Sequence, residues 1–97
     1  MPEVRFLPAA YDDFLKSLAW YSQRSERAAA GFEAALEVAL QRIVDSPSTY
    51  ALCDKRHRFY ILKRYPFSIV YRMEGDEILV VAVAHSSREM PYWHGRD

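Results

Sequence analysis

Phe67–Ala84 reads FSIVYRMEGDEILVVAVA. Two apolar runs, Phe67–Arg72 and Ile78–Ala84, flank Glu74-Gly75-Asp76, a turn triplet in which glycine is free to take positive φ. The pattern predicts a β-hairpin. Its second arm, Ile78-Leu79-Val80-Val81-Ala82-Val83, is apolar on both faces, as a strand in the middle of a covered sheet must be. Upstream, Arg58–Arg64 is a third strand-like run, joined to the hairpin through Tyr65-Pro66. Proline cannot donate to a ladder, so Pro66 belongs at a strand start or an edge.

Before this block the period changes. Glu3–Leu7 alternates Val4 and Phe6 with charged neighbours, a short strand that Pro8 ends while suiting a helix start. Tyr11, Phe14, Leu15 and Leu18 then fall at helical spacing, with Asp12 and Asp13 expected in the first turn, where the helix dipole favours negative charge. Ser25 is a candidate N-cap for a second helix. Ala28, Ala29, Phe32, Ala35, Leu36, Ala39, Leu40 and Ile43 stripe that helix, and Ser46-Pro47 stops it. Two helices so closely joined pack as an antiparallel hairpin. Pro47–Asp54 reads as a loop. The expected fold is α+β with the order β-αα-βββ, a helical hairpin on one face of a small, mainly antiparallel sheet.

A chain of 97 residues, 51% hydrophobic and 14% aromatic, fits one domain over residues 1–97. It can bury a core layer but not also a deep cavity, so any site is a surface groove. Cys53 is the lone cysteine, which rules out an intrachain disulfide or a cysteine-based zinc site. MPEVRFLPAAYDD carries acidic residues and no apolar h-region, and no apolar run approaches the roughly 20 residues that span a bilayer. A cytoplasmic protein without membrane contact is the expectation.

Thirteen basic residues balance 13 acidic ones, unlike the positive excess of a general nucleic-acid binder. Yet Lys55–Arg72 holds six basic residues and no acidic one. A local cationic surface on a neutral protein points to a site. No glycine-rich phosphate loop is present, His57, His85 and His94 have no metal-ligand spacing, and nothing supports a Ser-His-Asp triad. No cofactor or metal is expected.

The candidates that remain are Arg58, Arg64 and Arg72 on the strands, His85 and Arg88 just beyond the central strand, and Tyr92 and Trp93. Arginine forks bind phosphate or carboxylate, and the rings can stack. The bland alternatives are a backbone-bonded strand-end histidine for His85, with equal weight, and for Trp93 a lid over the core edge, which is favoured. Arg88 is the first choice as a functional residue.

At this point the chain resembles the RelE/ParE superfamily of toxins from type II toxin–antitoxin modules, which includes proteins called plasmid stabilisation proteins. The resemblance rests on Val4-Arg5-Phe6-Leu7-Pro8-Ala9-Ala10 followed by Asp13, on Trp20-Tyr21, and on Arg58. It continues through Tyr65-Pro66-Phe67-Ser68-Ile69-Val70-Tyr71-Arg72, Ala84-His85-Ser86-Ser87-Arg88, Pro91-Tyr92-Trp93 and Arg96. It spans nearly the whole chain and implies the same β-αα-βββ order. It further implies a growth-arresting toxin held silent by a cognate antitoxin, acting either on DNA gyrase or as a ribosome-dependent messenger-RNA endonuclease.

Ribonuclease members carry an arginine where this chain has Ser68, and they tend to be strongly basic. The resemblance therefore favours the gyrase-directed or another non-hydrolytic branch, although Arg88 and Tyr92 resemble the arginine and tyrosine of the ribonuclease site. If the chain were such an endonuclease it would act without metal, with His85 as base, Arg72 or Arg88 as charge stabiliser and Tyr92 as acid. Alternatives from other classes are a plain nucleic-acid-binding module and an adaptor. Partner or target contacts are expected at Arg58, Arg64, Arg72, Arg88, Trp93 and Arg96, and at Trp20 and Tyr21 on the first helix.

Overall fold

The computed structural model describes residues 2–87, 93, 95 and 96. The elements run β1 (Glu3–Phe6), α1 (Pro8–Arg24), α2 (Glu26–Asp45), β2 (Arg58–Ile61), β3 (Phe67–Glu74) and β4 (Glu77–His85). The sheet order is β1-β4-β3-β2, with β1 parallel to β4 and the other pairs antiparallel. β4 is thus interior, as its unbroken apolar run requires. Gly75 takes φ 60° in the β3–β4 turn.

Ser25 alone joins the helices. Its backbone N–H closes α1 on the Tyr21 carbonyl, and its hydroxyl accepts from the Ala28 amide at 3.1 Å to open α2. α2 buries Ala29, Phe32, Leu36, Ala39 and Ile43, the stripe expected from its period. Phe32 lies 5.0 Å, ring to ring, from Phe67, so the helices cover the sheet face that carries Phe67, Ile69 and Tyr71. Gly31 stands where a Cβ would collide with the Tyr65 hydroxyl, which donates to the Ala28 carbonyl and ties the β2–β3 bend to α2.

α1 departs from expectation. It packs through Ala10, Phe14, Leu18 and Tyr21, while Tyr11 and Leu15 are exposed. Its apolar stripe is wider than the contact, and Ala10, too small to weigh in a hydropathy pattern, sets the seam. The first turn, Pro8–Tyr11, holds no acidic residue. Asp12 pairs with Lys16 at the surface, and Asp13 faces inward, so neither has the dipole role expected for it. β2 is also shorter than Arg58–Arg64, because the chain bends after Ile61 and Arg64 sits at φ 70°.

β4 outruns β1. Their pairing stops at Phe6–Val80, one hydrogen bond later Leu7 N–H reaches the Val80 carbonyl, and a bulge follows, with Val70 opposite Ala82 but Tyr71 opposite Val80. Beyond that point two side chains replace the missing strand. Asp13 Oδ2 accepts from the Val83 amide at 3.1 Å, and Arg96 Nη1 donates to the Val81 carbonyl at 3.0 Å. The two side chains also pair with each other, Nη1 to Oδ2 at 2.8 Å and Nη2 to Oδ1 at 3.2 Å. This fork ties the end of the chain to α1 and β4 together.

Candidate functional site

Antiparallel register decides which candidates meet. Phe67, first in β3, lies opposite His85, last in β4, whereas Arg72 lies opposite Leu79 and Arg58 opposite Tyr71. Arg72 and His85 are therefore five residues apart along the hairpin, roughly 17 Å at about 3.4 Å per residue. Arg58 and Arg72 therefore stand away from the end of the sheet that carries His85, whereas Arg64 lies in the bend at that end. The candidates fall on two separate surfaces.

The first surface is polar. Asp54 Oδ1 accepts from the amides of Arg56 and His57, at 2.8 and 2.7 Å, and both carboxylate oxygens lie 2.9 Å from His57 Nδ1. His57 Nε2 faces Arg72 Nη1 at 3.2 Å, and Arg72 Nε donates to Glu74 Oε2 at 2.8 Å. Arginine is always a donor, so this network assigns the His57 proton to Nδ1 and leaves Nε2 as acceptor. Burial pushes the Asp54 carboxyl up, but the two amides and the His57 ring outweigh it and hold it well below the carboxylate range. His57 and Arg72 are both buried. Arg72 is thus held inside a network rather than presented to solvent as expected. Lys55 and Arg56, at the tip of the Asp54 turn, are exposed.

Trp93 is 2% exposed, with its ring 6.3 Å from that of His57, which matches the favoured reading of a residue covering the core edge. Together Lys55, Arg56, His57, Arg72, Trp93 and Arg96 line a cleft of about 330 Å³. Arg58 reaches back to the Tyr50 carbonyl at 2.6 Å, anchoring the loop that precedes β2. Nearby, the Tyr71 hydroxyl donates to the Pro47 carbonyl at 2.6 Å, and burial pushes its pKa up to about 12, against the lowering effect of Arg58.

The second surface is aromatic. Trp20, Tyr21, Pro66, Phe67, His85 and Lys16 line a groove of about 450 Å³ between α1 and the β3–β4 end of the sheet. Trp20 is 52% exposed and is not a core residue. Its ring meets Tyr21 edge-on at 5.1 Å and carries the Arg24 guanidinium at 3.7 Å. Tyr21 is half-buried against Phe32, Tyr65 and Phe67. His85 lies edge-on to Phe67 at 5.0 Å, and its Nδ1 accepts from the Ser87 amide at 3.0 Å, which is the backbone-bonded strand-end arrangement. Arg64 is exposed in the β2–β3 bend.

Arg88, Tyr92 and His94 lie outside the described residues. Among the described residues no group of three or more His, Cys, Asp and Glu side chains is placed to hold a metal, and no helix is long and apolar enough to cross a membrane. Partial burial, with the Asp54 charge, pushes the Cys53 thiol up, opposite to the activation a nucleophile needs. Sequence reasoning missed His57 and Asp54 as organising residues. Their signal was Asp at i and His at i+3 in a polar loop.

The fold and these surfaces can be set beside known proteins. Residues 4–90 match the family described as ParE toxin of type II toxin–antitoxin system, parDE. The chain belongs to this family and is a type II toxin of the ParE type. A solved structure titled "Chromosomal ParDE TA system from P. aeruginosa" has a chain with the same fold. It superposes with a TM-score of 0.72 at 21% identity, over 88% of this chain and 96% of that one. No curated protein sequence matches the chain.

Proposed function

We propose that this toxin arrests growth in the cytoplasm when free of a cognate antitoxin, and that its action is non-hydrolytic, with DNA gyrase as the favoured target. The observation that carries the second part is the register of the β3–β4 hairpin. Metal-independent RNA cleavage needs a base, a cation and an acid around one phosphate. Here His85 and Arg72 stand opposite Phe67 and Leu79, too far apart to share one, which removes Arg72 from such a set and leaves it Arg88 alone as the cation. Arg72 is engaged by His57 and Glu74, and Ser68, opposite Ala84, supplies no cation. Zero net charge also fits poorly with docking into the polyanionic ribosome.

The antitoxin reading draws on the aromatic groove. Trp20 presents half its surface beside Tyr21, Phe67 and His85, with Lys16 at the rim. An amphipathic segment with apolar anchors and acidic flanks complements such a groove, and Arg64 stands exposed in the bend that leads to Pro66 and Phe67. Inducible expression of the chain should stop growth, and co-expression of a short neighbouring reading frame should restore it. Harmless accumulation of folded protein would refute the proposal.

A further inference from the structure

The cleft at Lys55 and Arg56 has a chemistry that neither the antitoxin groove nor the target assignment uses. We propose that it is a binding site for a phosphate group. Asp54 supplies the turn: by accepting from the amides of Arg56 and His57 it fixes the loop so that Lys55 and Arg56 stand side by side at its tip. Arg72, buried behind them, is aimed by His57 and Glu74 and lines the same cleft.

Among the described residues that line the cleft, Lys55, Arg56, Arg72 and Arg96 are cations and Asp54 is the one acid. Outside that lining Asp13 receives the Arg96 fork, and Glu74 is shared by Arg72 at 2.8 Å and Arg56 at 3.6 Å. Lys55 makes no ion pair among the described residues. An excess of cations over acids in the described lining of a concavity gives a local positive field, which concentrates anions even on a neutral protein. The exposed Lys55 ammonium and Arg56 guanidinium can contact phosphate oxygens, while Arg72, held by His57 and Glu74, adds its charge to the cleft wall without being the contacting fork.

The aromatic wall argues for the phosphate rather than a base. Trp93 is 2% exposed and His57 is buried, so among the described residues no ring lining this cleft offers a face for stacking. The site reads charge and shape. Two sources share that chemistry, the backbone of a nucleic-acid duplex and a free phosphoryl compound. Neither depends on the proposed gyrase target.

The test is titration of the purified toxin with a short DNA duplex, with pyrophosphate and with poly-glutamate, from about 50 to about 200 mM salt. The wild type should bind the duplex or pyrophosphate. Lys55→Ala and Arg56→Gln should each weaken that binding and, for the duplex, lower the log–log salt slope by about 1. Glu74→Gln, which releases both guanidiniums from a competing carboxylate, should tighten it. Arg27→Ala, an exposed cation on α2 that lines neither the cleft nor the groove, should leave it unchanged. Binding of the duplex alone assigns the source as a phosphodiester backbone, and binding of pyrophosphate assigns a free phosphoryl group. Absence of binding to both, equal affinity for poly-glutamate, or binding unaffected by Lys55→Ala with Arg56→Gln would overturn the proposal. Unchanged melting of the variants would confirm that their effects report the site.

Discussion

Removing Arg96 should damage folding before it touches any target. The residue was a candidate target contact, yet both its guanidinium nitrogens lie on Asp13, at 2.8 and 3.2 Å, and Nη1 also caps the Val81 carbonyl. The two side chains are only 19% and 13% exposed. Breaking a fully buried pair by deleting one partner costs about 3–5 kcal/mol, and an exposed pair is worth at most about 1. This pair lies nearer the buried limit, so Arg96→Ala should lose about 2–3 kcal/mol. For a domain of this size that is roughly 10–20 °C in Tm. Asp13→Ala should lose a similar amount, since it also strips the Val83 amide of its acceptor. The assay is a double-mutant cycle by chemical denaturation. The fork predicts a coupling energy of at least about 1 kcal/mol, whereas independent sites add within about 0.5. Additive losses, or Arg96→Ala melting like wild type while toxicity vanishes, would refute the clamp and return Arg96 to the target surface.

Three other outcomes are expected. Arg88→Ala, at the residue that the sequence marks as the first functional choice, should keep a near-normal Tm, within about 0.5 kcal/mol as for most surface substitutions, and should abolish growth arrest; a markedly lower Tm would make its lost toxicity a report of unfolding. Trp20→Ala should fold normally, because the ring is 52% exposed, yet weaken antitoxin binding about 30-fold or more as a central aromatic anchor does, read by calorimetry; wild-type affinity would move the antitoxin off the groove. Tyr71 ionises at about 12 when folded and near 10.0 when free, so above pH 10 the unfolded chain sheds a proton that the fold retains. Its stabilising contribution is full below pH 10 and declines by up to about 1.4 kcal/mol per pH unit until about 12; denaturation of Tyr71→Phe beside wild type should show the variant lacking that part of the alkaline decline.

The fold was largely legible because local rules and tertiary context agree along most of the chain. Ser25 serves as the shared cap, Gly75 as the left-handed turn residue, and the α2 stripe and the β4 run bury where their periods indicate. The site was less legible, for two physical reasons. Charge says nothing of solvation: Arg72 reads like any strand arginine, and only the approach of His57 from a loop 15 residues upstream makes its burial tolerable. Linear proximity also misled. Arg72 and His85 lie on adjoining strands of one hairpin, but its reversal carries them to different ends of the sheet. Asp13 and Arg96 are 83 residues apart and meet because β4 outlasts β1, which no pattern in either segment records.

The most direct test of the proposed action is a pair of assays on one preparation of purified toxin, gyrase-catalysed supercoiling and cleavage of ribosome-bound messenger. Separated His85 and Arg72, an engaged Arg72 and an uncharged Ser68 predict inhibited supercoiling with intact messenger. Messenger cleaved at the ribosome while gyrase activity persists would contradict the account.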